Sequence, residues 1–400
     1  MNVSDELRGS GRLGVYQDGP FTLVATADGV RVAPDPVDAP FLRFVAEVAG
    51  RFDAFVVFAR VVDTAEADGR ILLPPRTELV RLPDYGSLRR LGAVARAGAR
   101  TVAAFWRGLD RVDVVWAFGP HPFELVLVAL ALLRGKRVVV GVRQDTPAYF
   151  RARLPSPRWK PILVAVDALD ALHRLLARRV PATVVGAENA RRYGGGRVLA
   201  MTPSLVRAAD VVVQPAERDW SGPIELLTVG RVDAEKNPFL LVEALADLER
   251  EQPGRYRVRW VGVGPLLDHV RRRAAERGLE NAFELAGYVA FGPELLKLYR
   301  QAHLFVHVSL TEGVPQVLHE AHASAIPVVA TDVGGVGAAV EHGAAGLLVP
   351  PDDAGALVAA IRRLSGDEEL RSRLVARGLE LARERTLEAE ASRVVDFLLA

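Results

Sequence analysis

Short apolar segments alternate with stretches of helical periodicity along most of the chain. This alternation is typical of parallel β-sheets whose strands are joined by crossing helices. In the first half it predicts strands at residues 12–17, 53–60, 113–118, 137–142 and 182–187. We therefore expect an α/β fold.

A second series of apolar segments begins after residues 214–223, whose two prolines and one glycine indicate a linker. It predicts strands at residues 224–230, 256–264, 283–289, 303–309, 327–333 and 346–350. A chain of 400 residues exceeds what one hydrophobic core usually organises, so we expect two Rossmann-like domains, residues 1–216 and 217–386. Nucleotide ligands of such folds bind outside the carboxyl ends of the strands, here in a cleft between the two domains.

Composition narrows the function classes. A formal net charge of +2 and a pI near 9.0 are too weakly basic to indicate nucleic-acid binding, and they suit a small anionic substrate. The absence of cysteine excludes disulfides, zinc–thiolate sites and cysteine nucleophiles. Residues 1–14 lack the apolar core of a signal peptide, and the apolar run 125–133 is too short to span a bilayer. These features predict a cytoplasmic protein.

The segment VGRVDAEKNP places Arg231 and Lys236 just past a predicted strand. A guanidinium and an ammonium together could hold a diphosphate and stabilise it as a leaving group, which would make a metal ion unnecessary. The chain has no Asp-x-Asp pair of the kind that holds a divalent ion in many nucleotide-sugar enzymes. The alternative is a solvated loop between a strand and a helix.

Two glycine pairs lie at the ends of other predicted strands. Gly262 and Gly264 could let the backbone approach a ligand closely, although a tight turn without a ligand explains them at least as well. Gly334 and Gly335 favour a close turn beside the ligand.

The segment SLTEGVPQVLHEA carries Glu312 and Glu320, eight positions apart. Pro315 is suited to open a helix, which would place Glu312 in the preceding loop and Glu320 on the helix. The two carboxylates could then accept hydrogen bonds from sugar and ribose hydroxyls, while amides near Gln316 and Val317 meet a phosphate. Spacing alone is weak evidence, because two glutamates eight apart arise easily by chance.

In order and separation, these four segments resemble the C-terminal half of the retaining glycosyltransferases of family 4, which have the GT-B fold. The resemblance covers about residues 224–351. It implies that the second domain binds the donor and that the last helix, within residues 387–400, packs on the first domain. It assigns catalysis to Arg231, Lys236 and Glu312, and the ribose to Glu320. The implied donor-binding residues are Gly19, Gly262, Gly264, Gly287, Tyr288, Val289, Gly313, Val314, Pro315, Gln316, Val317 and Glu320.

The first half resembles the family less, which leaves its acceptor side open. Gly19, within residues 18–20, takes the place of a glycine-rich loop after the first strand. Many relatives carry a histidine near the end of a later strand, where this chain has Arg143, Gln144 and Asp145. His121 is either a substitute for that histidine or a turn residue.

The resemblance implies a metal-independent enzyme without a cofactor, which transfers a hexose with retention from a UDP- or GDP-linked sugar to a hydroxyl acceptor. The acceptor could be a glycan, a lipid-linked molecule or a secondary metabolite. The alternatives are a sugar-nucleotide epimerase, a glycan phosphorylase, or a non-catalytic subunit that binds a sugar nucleotide.

The stretch 151–207 holds eleven basic and three acidic residues around an apolar helix. It could contact an anionic membrane peripherally, at its inner face, or attract an acidic acceptor. The alternative is an ordinary helix that covers one sheet and ends in solvated arginines.

Overall fold

The structure is a computed structural model that describes residues 9–26, 29–33, 39–61, 71–85, 91–154 and 156–400. The chain forms two compact units, Met1–Leu205 with Leu387–Ala400, and Val206–Thr386. This boundary falls earlier in the chain than the predicted one after residue 216. Each unit is built on its own parallel sheet, so the predicted α/β class is confirmed.

In the described residues, the first unit has nine strands and six α-helices before residue 205. The strands are β1 (Gly9–Thr26), β2 (Gly29–Ala33), β3 (Phe52–Val61), β4 (Ile71–Leu72), β5 (Thr77–Leu82), β6 (Val114–Gly119), β7 (Arg137–Val142), β8 (Ala182–Val185) and β9 (Val198–Met201). The helices are α1 (Ala39–Ala49), α2 (Leu91–Gly108), α3 (Pro122–Leu133), α4 (Thr146–Arg153), α5 (Lys160–Ala177) and α6 (Ala187–Arg192).

Seven of these strands pair in parallel in the order β5-β3-β1-β6-β7-β8-β9. The second half of β1 pairs antiparallel with β2, which in turn pairs with β4. The prediction that the first strand ends at residue 17 is therefore wrong, because β1 continues to Thr26 through a shift of register between Tyr16 and Pro20. The pattern also missed β2, β4, β5 and β9, which are short or lack a continuous apolar run.

The second unit contains the six strands that the pattern predicted. They are β10 (Ile224–Val229), β11 (Tyr256–Val261), β12 (Phe283–Gly287), β13 (Leu304–His307), β14 (Val328–Thr331) and β15 (Leu347–Val349). The helices of this unit are α7 (Pro238–Glu251), α8 (Leu267–Glu276), α9 (Pro293–Gln301), α10 (Gln316–Ala323), α11 (Val336–Ala339), α12 (Ala354–Gly366) and α13 (Glu368–Glu384).

Both faces of the second sheet are buried, which explains why its strands read as continuous apolar runs. Neighbouring residues of one strand enter opposite cores: Leu226 lies in one cluster and Leu227 in the other, and Val306 and Phe305 divide in the same way. A parallel sheet covered by helices on both sides requires this pattern, because successive side chains point to opposite faces.

The last helix, α14 (Leu387–Leu399), belongs to the first unit although it follows the second in the chain. Its residues Leu387, Ala391, Val394 and Leu398 recur at helical spacing and lie in the core with α1 and β1. Arg51, just after α1, donates a hydrogen bond of 3.1 Å from Nη2 to the carbonyl of Glu388. In the described part of the chain, no helix combines the length and the apolar character needed to cross a membrane.

Candidate functional site

The strand order of the second unit creates a topological switch point. In the order β12-β11-β10-β13-β14-β15, the chain moves outward from β10 in one direction and later returns to place β13 on its other side. The loops that follow β10 and β13 therefore diverge, and ligands of open α/β sheets bind in the crevice this opens. Lys236 follows β10 and Glu312 follows β13, and Lys236 Nζ forms an ion pair with Glu312 Oε1 across that point.

Asp233 organises the two cations of the loop after β10. Its Oδ1 accepts from the backbone N–H of Lys236 at 3.1 Å, which caps the short helical turn Ala234–Lys236. Its Oδ2 lies 3.3 Å from Arg231 Nε, and the Arg231 side chain is 58% exposed. The loop therefore holds one cation in a part-buried ion pair and presents the other to solvent.

Glu312 is held as a carboxylate by three neighbours. Ser309 Oγ donates to Glu312 Oε1 at 2.7 Å, and His307 Nε2 lies 2.9 Å from the same oxygen. Burial alone raises the pKa of Glu312, but the His307 contact and the charge of Lys236 outweigh burial and lower that pKa to about 2. Glu312 is thus ionised at neutral pH and can only accept hydrogen bonds.

Gly262 and Gly264 let the backbones of two neighbouring loops approach each other closely. A Cβ at Gly262 would collide with the carbonyl of Gly230, and a Cβ at Gly264 with the backbone of Val232. Both contacts pack the loop after β11 on the loop that carries Arg231. Gly262 and Gly264 therefore fix the position of the loop that carries Arg231. This structural role does not depend on a ligand.

Gly334 and Gly335 pack in the same way against the loop that carries Glu312. A Cβ at Gly334 would collide with the carbonyl of Glu312, and a Cβ at Gly335 with that of Gly313. The Gly335 N–H also donates to the Glu312 carbonyl at 3.2 Å. The turn after β14 thus holds the backbone of the Glu312 loop.

Glu320 lies on α10 in a setting unlike that of Glu312. Its Oε2 accepts from Tyr299 Oη at 2.8 Å, and its side chain is buried. Burial raises the pKa of Glu320 to about 7, although the Tyr299 hydrogen bond opposes this rise. Pro315 precedes α10 as its N-cap residue, so the helix begins at Gln316, one position after the proline predicted to open it.

The remaining predicted donor residues lie around the same strand ends. Gly313 is exposed, and Val314 and Val317 are half-buried in the loop and first turn of α10. Gly287 ends β12, and its carbonyl accepts from the Gly262 N–H at 2.7 Å. Tyr288 follows and is 67% exposed, and Val289 packs on the core.

In the first unit, Asp18 and His121 meet at a second switch point, between β1 and β6. His121 Nε2 lies 3.2 Å from Asp18 Oδ2, and Tyr85 Oη donates to the same carboxylate at 2.8 Å. Arg60 completes the network through an ion pair of 3.3 Å with Asp18. Gly19 lies inside β1, so the prediction of a loop at this position is wrong.

His121 lies in the turn that precedes α3 and caps that helix. Its Nδ1 accepts from the Phe123 N–H at 3.3 Å and caps α3, while burial lowers its pKa. Both ring nitrogens are therefore engaged. Of the residues after β7, Arg143 stacks on the Phe41 ring at 4.4 Å, Asp145 caps α4 and pairs with Arg192, and Gln144 is exposed.

Several residues of these networks were missed from the sequence. They are Asp233, Tyr299, His307 and Ser309 in the second unit, and Tyr16, Arg60 and Tyr85 in the first. Tyr16 belongs to the Asp18 network because its Oη donates to Asp18 Oδ1 at 3.1 Å. His307 offered a signal, since it is a polar residue inside an apolar strand. In the described part of the chain, no three His, Asp or Glu side chains gather in a way that could hold a metal ion.

Open parallel sheets with a switch point in their strand order commonly bind nucleotides outside the carboxyl ends of their strands. Residues 214–380 match the family described as glycosyl transferases group 1. The predicted family resemblance is therefore confirmed over this segment.

Two curated relatives illustrate the match. The chain is 32% identical over 152 residues to the amylovoran biosynthesis glycosyltransferase AmsK of Erwinia amylovora, covering 36% of this chain and 37% of that protein. It is 39% identical over 147 residues to the D-inositol 3-phosphate glycosyltransferase of Nocardia farcinica, covering 35% of this chain and 32% of that protein. The matches thus span about a third of the length of these relatives.

Solved structures match over nearly the whole chain. Alr3699/HepE of Anabaena in complex with UDP has a TM-score of 0.67 at 20% identity, covering 96% of this chain and 98% of that one. The same protein with UDP and glucose has a TM-score of 0.64 at 18% identity, with the same coverage. At such identities the likeness shows the fold, and it confirms the predicted GT-B class.

Proposed function

We propose that this protein is a retaining, metal-independent glycosyltransferase that moves a hexose from a nucleoside-diphosphate sugar to a hydroxyl acceptor. The observation that carries the proposal is the pairing of Lys236 with Glu312 at the switch point of a group 1 segment. The names of the relatives and the UDP and glucose bound by Alr3699/HepE support a sugar-nucleotide donor.

Lys236 and Arg231 would neutralise the donor diphosphate. The bond from the anomeric carbon to the phosphate oxygen breaks, and the negative charge develops on that oxygen. An ammonium and a guanidinium already placed by Asp233 stabilise this charge without reorganisation, and such preorganised charge accounts for much of the rate enhancement of many enzymes. The diphosphate would compete with Glu312 for Lys236, which frees the carboxylate for the hexose.

The two glutamates would hold donor hydroxyls. Glu312, ionised by its surroundings, accepts from the hexose, and Glu320 accepts from the ribose. For retention, the acceptor oxygen bonds to the anomeric carbon on the face from which the diphosphate departs, and the acceptor proton passes to the departing phosphate oxygen. Neither glutamate then needs to serve as a general acid or base.

A sugar-nucleotide epimerase and a non-catalytic binding subunit remain alternatives on the same fold. A panel of UDP- and GDP-hexoses tests all three with the purified full chain. We expect one donor to raise the melting temperature, since a ligand at a hundred times its Kd contributes about 2.7 kcal/mol to stability. Transfer to an acceptor with the anomeric configuration retained supports the proposal. An epimerised donor formed without an acceptor, or binding without any product, contradicts it.

A further inference from the structure

The solvent-facing side of α5 is apolar. Its opposite side is buried against the first unit through Asp170, His173 and Ala177. On the outer side, Val164 is 67% exposed, and the two leucines of the same stripe, Leu172 and Leu175, are 50% and 48% exposed.

These residues form one continuous stripe. Positions 161, 164, 165, 168, 171, 172 and 175 recur at spacings of three and four, and every one is exposed and apolar. The charged residues within this span lie outside the stripe, where Asp167 pairs with Arg151, and Arg174 with Asp170. A surface helix ordinarily has the reverse arrangement, with its polar face toward water, so this stripe indicates a surface that meets another apolar phase.

Both ends of the stripe are basic. Arg158 and Lys160 are exposed at the start of the helix, and Arg178 and Arg179 are exposed just after its end. Among the described residues of α5, the exposed stripe contains no acidic side chain that would offset these four cations.

The basic ends of α5 indicate which partner the apolar stripe could contact. If α5 paired with α5 of a second copy, in either direction, a basic end would lie against a basic end, and like charges would oppose the contact. An anionic lipid surface fits both features, since its phosphates attract the basic ends while the stripe enters the boundary between headgroups and acyl chains.

We propose that α5 is a docking surface for the anionic leaflet of a membrane. The inference goes beyond the proposed transfer reaction, because it concerns where the protein works and uses none of the residues at the switch point. A test of membrane docking therefore does not depend on whether the proposed transfer reaction is correct.

Flotation of the full chain with lipid vesicles tests the proposal. We expect roughly tenfold more protein on vesicles with ~30% phosphatidylglycerol in phosphatidylcholine than on pure phosphatidylcholine. Val164→Glu should lower binding to the anionic vesicles by about fivefold or more, because a carboxylate would have to enter the apolar boundary. Val213→Glu is the matched control, since this valine is 88% exposed and lies in the second unit.

The double variant Arg178→Glu/Arg179→Glu should lose the preference for anionic vesicles. Melting temperatures of all variants establish that they are folded. Three outcomes would overturn the proposal: equal or no binding to the two vesicle types, equal losses in Val164→Glu and Val213→Glu, or a dimer of the wild type that Val164→Glu dissociates. Lys236→Ala should float like the wild type, which separates docking from donor binding.

Discussion

Lys236 and Glu312 are 76 positions apart in the chain, yet their side chains form an ion pair at the switch point of the second sheet. The pair exists because β10 and β13 are neighbours in the sheet although two other strands lie between them in the chain. It gives the site a part-buried carboxylate and a cation before any ligand arrives. Donor binding and transfer should therefore depend on both side chains.

Replacing either partner should abolish transfer and leave the protein folded. Lys236→Ala removes the cation that stabilises the departing diphosphate, and Glu312→Ala removes the acceptor for a hexose hydroxyl, so we expect rates at least ~100-fold lower for each. Initial rates with the preferred donor measure this effect.

Lys297→Ala and Glu280→Ala are matched controls, since both residues are exposed in the same unit. Near-normal turnover by Lys236→Ala or Glu312→Ala would refute the assignment of the donor site.

Gly335→Ala should weaken donor binding through the backbone of the Glu312 loop. Gly335 has an ordinary φ of −79°, so the substitution adds no backbone strain, and its only effect is the collision of the new Cβ with the Gly313 carbonyl. We expect a loss of ~1–3 kcal/mol in urea unfolding and a smaller thermal shift from the donor.

Gly366→Ala provides the comparison, because its Cβ would have no neighbour within 4 Å. Equal behaviour of the two alanine variants would show that the close packing of the glycine turn has no role in donor binding.

Glu320→Gln should stabilise the protein at alkaline pH and weaken donor binding. Burial raises the pKa of Glu320 to about 7 from its ordinary 4.5, so the folded state keeps a proton that the unfolded state releases. Stability from this group is therefore fully present below about pH 4.5 and is lost as the pH rises through 7, a total of roughly 3 kcal/mol. Glutamine does not titrate and can still accept from Tyr299.

Urea unfolding at about pH 8 and pH 5 tests this prediction. The variant should exceed the wild type at the higher pH, and the difference should shrink at the lower one. Glu280→Gln, at an exposed position, should show no such trend. A constant difference between Glu320→Gln and the wild type at both pH values would mean that Glu320 does not titrate in this range.

A chelator should leave the transfer rate unchanged, because Arg231 and Lys236 are proposed to supply the positive charge at the diphosphate. The measurement compares initial rates with and without excess EDTA after dialysis. A loss of activity that magnesium restores would show that the side chains do not replace a metal ion.

The apolar pattern predicted much of the fold because a parallel sheet buried on both faces leaves a continuous apolar run for each strand. All six strands of the second unit were found in this way. The same criterion missed β5, whose residues Thr77–Leu82 are mostly half-buried or exposed, and the end of β1, where charged and turn-forming residues continue as strand.

The candidate site was only partly predictable. The residue types and local context of Arg231, Lys236, Glu312 and Glu320 were visible, since cations and carboxylates that follow buried strands are conspicuous. Their partners were not: Asp233 is a common kind of turn residue, and Tyr299 looks like ordinary core. A contact such as that of Tyr299 with Glu320 depends on which helices pack together, and periodicity carries no information about this.

By itself, the sequence determined the α/β class, the second series of strands and the charged residues at their ends, because these depend on local order along the chain. Only the tertiary structure determined which strand ends lie next to each other. Strand order brings Lys236 to Glu312, burial separates the pKa values of Glu312 and Glu320, and backbone contacts assign the glycines to loop packing. These are properties of neighbours in space, and residues far apart in the chain become neighbours only when the sheet forms.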